Sequence, residues 1–278
     1  MRVAVFSDVQ GNLPALEVAV DHILAWRPDL VVMAGDLVNR GPSSLACLEQ
    51  FDLLRRSEGW LPVQGNHEEW VLRCGSEAPV DDLDAEMRRF ADWTFRQIAG
   101  AAQKLRGWPD HLSFHAPGGD DWAHVAHGTL AGNRDGVSPS MSDPDLRGRI
   151  PAGVALFVTA HTHKPLERLI DGIQVVNVGS VGSPFDGDPR GSYGQMEYVR
   201  GRWQSRIVRL GYDRQRAARD FWESGFFDEG GPLAWIVFEE WRRARLLMPT
   251  WHERYRPAVR ARSISLEQAV NAFLTTLD

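Results

Sequence analysis

The sequence predicts an α/β fold with a helical C-terminal extension. Three observations support this. Short apolar runs alternate with amphipathic stretches in a β-α-β-α-β rhythm over the first 63 residues. Each of those runs leads straight into Gly, Asp, Asn or His, which places polar chemistry on loops at strand ends. From residue 213 onward the chain turns helical and rich in aromatics.

Taken in order, Arg2 to Phe6 reads as a buried strand, and Leu13 to Ala25 as an amphipathic helix with Leu16, Ala19, Val20, Ile23 and Leu24 at helical spacing. Leu30 to Ala34 is a strand, Ser43 to Arg56 a helix, and Trp60 to Val63 a strand. Residues 76–105 read as helical. A hairpin pairs His111–His115 with Trp122–Ala126 across Ala116-Pro117-Gly118-Gly119-Asp120. Residues 129–153, rich in Gly, Ser, Pro and Asp, read as an irregular substrate-side loop. Further strands follow at Val154–Thr159, Leu166–Leu169, Gln174–Asn177, Gly194–Arg200 and Trp203–Leu210. A boundary near 212 divides the chain into residues 1–212 and a helical extension, 213–278. The aromatics of that extension, among them Phe221, Trp222, Trp235, Phe238 and Trp241, read as core, with a dimer face or a lid as the other readings.

At 278 residues and 43% hydrophobic composition the chain needs no disulfide or structural metal to build a core. Its two cysteines, Cys47 and Cys74, read as free thiols. A net charge of −6 argues against non-specific nucleic-acid binding. Apolar runs such as Val154 to Ala160 fall far short of the ~20 residues that cross a bilayer. Met1 to Phe6 passes straight into polar residues with no apolar leader, so cytoplasm is the expected compartment.

Five short clusters follow apolar strands: Asp8-Val9-Gln10, Gly35-Asp36, Gly65-Asn66-His67-Glu68, His127-Gly128 and His161-Thr162-His163. Singly, each reads as a turn former, a helix cap or a surface histidine. Together they form a ligand set of Asp, Asn and His suited to Mn²⁺, Fe, Zn²⁺ or Ni²⁺. In an extended segment residues i and i+2 share a side, so Asp8 with Gln10, and His161 with His163, are expected to enter one pocket. Two divalent ions about 3.5–4 Å apart would suit it, with Asp36 as the bridge. Two dications against two carboxylates leave a positive surplus fit for a phosphate oxyanion.

In this order the motifs resemble the calcineurin-like metallophosphoesterases, most closely their small bacterial and archaeal phosphodiesterases, over about residues 1–210. Asn177-Val178-Gly179-Ser180-Val181-Gly182-Ser183-Pro184 also resembles that subgroup. The resemblance implies a four-layer α/β/β/α sandwich and two divalent ions, manganese first. One ion would be held by Asp8, Gln10, Asp36 and His163, the other by Asp36, Asn66, His127 and His161. It further implies in-line attack on phosphorus by a bridging hydroxide, with His67 aiding the leaving oxygen and Arg40 gripping phosphate.

This sequence departs from the family pattern at three positions. Gln10 stands for a histidine, exchanging an imidazole for a weaker amide oxygen. Ala160 stands for a glycine. Asn39 stands where related phosphatases have an aspartate, and an amide orients the His67 ring without stabilising its charge. Glu68 is expected to orient a ligand, Arg134 to touch substrate, and His115 to face His124 across the hairpin. His22, His111 and His252 show no partner pattern. The expected function is metal-dependent hydrolysis of a small phosphodiester. The alternatives are a phosphatase acting on a nucleotide polyphosphate or phosphoprotein, and a non-catalytic scaffold with a degenerate site at Gln10. The substrate is expected to be a small phosphate ester, with a nucleotide among the candidates and no membrane partner. Homo-oligomers are left open. The loops at 129–153 and 184–194 and the C-terminal tail would set the leaving group.

Overall fold

Strand β1 (Arg2–Phe6) shows why the sandwich forms. Its side chains alternate between two faces, and both faces are buried. Val3 and Val5 join one apolar cluster, Ala4 and Phe6 another. The computed structural model describes residues 1–277. After β1 come α1 (Leu13–Trp26), β2 (Leu30–Ala34), α2 (Ser44–Ser57), β3 (Leu61–Val63), α3 (Asn66–Ser76), α4 (Asp82–Met87), α5 (Arg89–Ile98) and α6 (Ala102–Leu105). The hairpin β4 (His111–His115) and β5 (Trp122–Ala126) leads to α7 (Asp143–Arg147), β6 (Leu156–Thr159), β7 (Leu166–Ile170), β8 (Ile173–Asn177), β9 (Gly191–Val199) and β10 (Arg202–Leu210). Helices α8 (Arg214–Glu223), α9 (Phe226–Glu229), α10 (Leu233–Arg243), α11 (Met248–Arg260) and α12 (Leu266–Thr275) complete the described chain.

The strands make two mixed sheets, ordered β10-β9-β1-β2-β3 and β4-β5-β6-β8-β7. Strands β1, β2 and β3 run parallel, as do β5, β6 and β8. Val3, Val5, Val32 and Ala34 of one sheet meet Val125, Leu156, Val158 and Val176 of the other. On the outer face of the first sheet, Phe6 and Met33 pack with Leu16 and Ile23 of α1 and Leu48 and Phe51 of α2. The outer face of the second is covered more thinly, by α7 and the irregular segment around it, with Val137, Leu146 and Ile150 packed on Phe157 and Val175. This is the four-layer α/β/β/α order that the resemblance implies.

The C-terminal aromatics are core. Phe221, Phe226, Phe238 and Trp241 cluster with Phe90 and Trp93 of α5, so the last five helices share a core with the sandwich's helical layer. Trp222 is the exception, 57% exposed. Both cysteines are buried free thiols. Among the described residues no helix is long and apolar enough to cross a membrane.

Two local expectations are corrected, and one helix was not expected at all. Residues 66–76 form a helix, started by the Glu68 carboxylate accepting from the Gly65 N–H. The irregular segment contains α7, capped by the Ser142 side chain. His124 stacks on His111 at 4.7 Å instead of meeting His115, because the hairpin register sets His115 opposite Trp122.

Candidate metal centre

Parallel strands leave the sheets at one edge, and the five clusters sit there, just past the ends of β1, β2, β3, β5 and β6. The geometry that gathers them differs from the extended one expected. Asp8, Gln10, Asp36, Asn39, Arg40, His161 and His163 all have left-handed backbones, with φ between 49° and 74°. They are seven of the twelve non-glycine residues with positive φ among those described. Such conformations cost of order 1–3 kcal/mol each and persist only where the surroundings hold them. Here the surroundings are tight. A Cβ on Gly65 would stand 2.2 Å from Asp36 Oδ1, and Glu68, fully buried, accepts from the backbone N–H of Asp36, Leu37 and Val38. Glu68 therefore fastens the loop that carries Asp36.

Ligand atoms of Asp8, Asp36 and His127 all lie within 4.8 Å of one another, fully buried. His163 Nε2 is 3.0 Å from Asp8 Oδ1, and His127 Nε2 is 3.4 Å from Asp36 Oδ2. Asn66 Oδ1 sits 2.9 Å from His127 Nε2 and 2.8 Å from His161 Nδ1. The far nitrogens of two of these rings face backbone carbonyls, His127 Nδ1 at Ala34 and His163 Nδ1 at Ser183. With Nδ1–H donating there, each Nε2 is aimed into the cluster, the usual orientation of a metal-ligating histidine.

Electrostatics favour a cation here. Asp8 Oδ1 and Asp36 Oδ2 are buried and accept no hydrogen bond. Burial opposes a charge on His127, but the Asp36 carboxylate overrides it and holds the imidazole up at about 10. Burial likewise opposes the Asp36 charge, while the His127 charge keeps that carboxyl well below the usual range. A protonated imidazole thus offsets the carboxylates. His161 is shifted the other way, by burial and then by His127, toward the neutral form that binds metals. Two carboxylates, three imidazoles and an amide oxygen suit a borderline divalent ion.

His67 stands beside this cluster. Its backbone N–H donates to Asp36 Oδ1 at 2.8 Å, and its Nε2 lies 3.9 Å from Asp36 Oδ2. Asn39 Nδ2 is 2.8 Å from His67 Nδ1, and Asn39 Oδ1 is 3.2 Å from the Thr94 hydroxyl. An amide so placed leaves the ring proton on Nε2, facing the site. Burial, with Arg40, His163 and His127 adding to it against Asp36, lowers His67 to about 3 and keeps it neutral. Gln10 also reaches the cluster, but its Oε1 accepts from Arg40 Nε at 3.0 Å and its Nε2 lies 3.4 Å from His163 Nε2. Ligation through its oxygen requires the amide to turn away from Arg40.

Residues 1–165 match the family of calcineurin-like phosphoesterases. The chain belongs to that family. A solved metallophosphoesterase from Sphaerobacter thermophilus superposes with a TM-score of 0.68 at 25% identity, covering 88% of this chain and 99% of that one. Phosphodiesterase YfcE of Escherichia coli is 25% identical over 71% of this chain and 88% of its own length. A symmetrical bis(5'-nucleosyl)-tetraphosphatase from Janthinobacterium is 33% identical over 52% of this chain. The chain spans about half of that enzyme, 53% of its length. Members of the family use divalent metals, and the similarity to YfcE supports the small bacterial and archaeal phosphodiesterases as the subgroup within it.

Around the five clusters, this calcineurin-like phosphoesterase sets further residues that were not singled out as site residues. Phe185, from the loop before β9, stacks on His163 with ring centroids 4.2 Å apart and planes 1° from parallel. Ser180 Oγ donates to the Asp8 carbonyl. Glu240 of α10, fully buried, forms an ion pair with Arg40 and accepts from the N–H groups of Leu247 and Met248 at 2.7 Å. A cavity of about 510 Å³ opens over the cluster, walled by Val137 and Ser138 of the irregular segment, Phe185, and Leu246. Arg134 takes no part in it and lies 3.7 Å from Glu69 instead. Phe185 lies in the 184–194 loop expected to face substrate, though nothing marked the ring itself, and Glu240 is a lone acid in a helix, a commonplace pattern.

Proposed function

We propose that this chain is a metal-dependent phosphodiesterase acting on a small substrate. The pair of buried carboxylate oxygens without donors, Asp8 Oδ1 and Asp36 Oδ2, ringed by imidazole nitrogens, carries the reading. Asp8, Asp36 and His163 would hold one ion, joined by Gln10 if its amide turns. Asp36, Asn66, His127 and His161 would hold the other. Manganese suits the first set best, since an amide offers less to zinc than an imidazole does. Divalent ions there supply charge stabilisation on the phosphoryl oxygens and a nucleophile at neutral pH. The protein's own residues do the rest. His67, neutral and with Nε2–H facing the site, is placed to give its proton to the leaving oxygen. Asn39 fixes that tautomer. Arg40 lines the cavity, where its guanidinium meets phosphate oxygens.

A second reading, hydrolysis of a nucleotide polyphosphate, is favoured by the match to the tetraphosphatase. The two share the metal centre and differ in the leaving group. The test is hydrolysis of bis-p-nitrophenyl phosphate by metal-stripped protein, with and without Mn²⁺. Activity is expected only with the ion. His67→Ala should lower turnover by about 10²–10⁴-fold while metal content stays unchanged. Loss of metal in that variant would instead make His67 a ligand. Inactivity on the diester with turnover of a dinucleoside polyphosphate would promote the second reading.

A further inference from the structure

A second cavity, of about 400 Å³, adjoins the metal centre between α3–α5 and α11. Arg40 lines both cavities. Trp70, whose ring centroid is 5.8 Å from that of His67, lines the second. The opposite wall is one stripe of α11. Met248, His252, Arg256 and Arg260 are spaced by four residues, which on a helix stacks them along one face, and all four line the cavity.

The charges in this cavity are unbalanced. Arg73, Arg256 and Arg260 make no ion pair or side-chain hydrogen bond among the described residues. Within two of the lining residues, Arg256 Nε and His252 Nδ1 are buried and have no hydrogen-bond partner among the described residues. The acids at the rim are engaged locally. Asp81 accepts from the Asp84 N–H, and Asp84 accepts from the Val80 N–H and lies 3.9 Å from Arg88. Arg88 itself is tied to Asp92. The rest of the lining is apolar and aromatic, with Trp70, Phe90, Leu83 and Met87. Free guanidinium groups seek an anion with several oxygens, and an aromatic wall seeks a flat ring. A nucleoside 5'-phosphate combines the two, and the volume lies within the range of small-molecule sites.

We infer that this cavity holds a nucleoside 5'-phosphate portion of the substrate, beyond the phosphorus attacked at the metal centre. Arg256 and Arg260 meet its phosphate and Trp70 faces its base. The inference rests on the phosphoesterase reading above for its link to catalysis, and it applies whether the bond cleaved is a diester or an anhydride. His252, without a pattern in the sequence, gains a role as a wall of this site.

Calorimetric titration of the Mn²⁺-loaded protein with AMP tests it. Arg256→Ala and Arg260→Ala should each weaken AMP binding at least about tenfold, as loss of one charge-assisted contact does. Arg254→Ala, on the exposed side of the same helix, should leave it unchanged. Ribose 5-phosphate, lacking the base, should bind more weakly than AMP. Thermal melts of the variants matching the parent would show that the fold survives, and exposed Arg260 is the safer of the two. Absence of AMP binding overturns the inference, as does equal affinity in parent and variants, which would put AMP at the metal centre alone. Equal affinity for ribose 5-phosphate and AMP overturns it too. Hydrolysis of bis-p-nitrophenyl phosphate by the parent reports separately on the phosphodiesterase reading. AMP binding lost in the variants of a protein without that hydrolysis would sustain the cavity and sink only the reaction.

Discussion

The strand-end loops and the C-terminal helices both reach the proposed reaction centre, by opposite means. The loops bring backbone strain: seven left-handed residues hold carboxylates and imidazoles in a buried cluster. The helices bring side chains from regular backbone, a buried Glu240 on α10 and a stripe on α11, carried on an aromatic core. A strained loop positions ligands rigidly, because few other conformations are open to it. A packed helix positions a side chain only as well as its core is packed. The two regions meet at Arg40, whose Nε donates to Gln10 and whose NH2 group pairs with Glu240.

If the loops are built around charge, removing one should have the largest effect. Asp36→Asn keeps the shape and deletes the carboxylate that His127 and His67 face. Turnover of bis-p-nitrophenyl phosphate with Mn²⁺ is expected to fall by at least about 10³-fold, as for loss of a central transition-state contact. Metal measured by plasma spectrometry should fall with it. Activity retained within tenfold would show that shape, and not charge, organises these loops.

Cutting the link at Arg40 should cost stability next. Glu240→Ala leaves a buried guanidinium unpaired and strips two N–H groups of their acceptor, a loss of about 3–5 kcal/mol expected in urea denaturation. Glu240→Gln, which keeps an oxygen for the N–H groups, should cost less. A loss under about 1 kcal/mol in the alanine variant would show the helices to be a passenger on the sandwich.

The two regions also differ in how far they can be read from sequence. Strands such as Arg2–Phe6 are legible because burial on both faces leaves an apolar run, and the clusters are legible because each follows such a run within one to four residues. The reason for their convergence was not. Extended i, i+2 geometry would join Asp8 to Gln10, whereas left-handed turns do so, and nothing in Asp-Val-Gln announces a positive φ at glutamine. Helix α3 is hidden in the sequence because its start is the Gly65-Asn66-His67-Glu68 motif itself, whose residues read equally as ligands and as a helix start. Glu240 is 200 residues from Arg40, and a lone acid in an amphipathic helix carries no mark of a distant partner. The α11 stripe has a period of four, but four polar and apolar residues in such a row look like any half-exposed helix face until the neighbouring helices are placed.

The smallest expected effect lies where the two regions touch. Gln10 gives its oxygen to Arg40 and its nitrogen to the His163 side, so as placed it supports the arginine more than a metal. Gln10→His would restore an imidazole to a set that already holds Asp8, Asp36 and His163. Mn²⁺ and Zn²⁺ affinities, measured by calorimetry, are expected to rise by about tenfold, near 1.4 kcal/mol, with zinc gaining more because nitrogen ligands suit it better. Arg40 would lose the acceptor of its Nε while keeping Glu240, so stability should change little. An unchanged metal affinity would mean that position 10 lies outside the coordination sphere with either side chain. The first ion would then rest on Asp8, Asp36 and His163 alone, and the glutamine would belong with Glu240, as part of the cradle for Arg40.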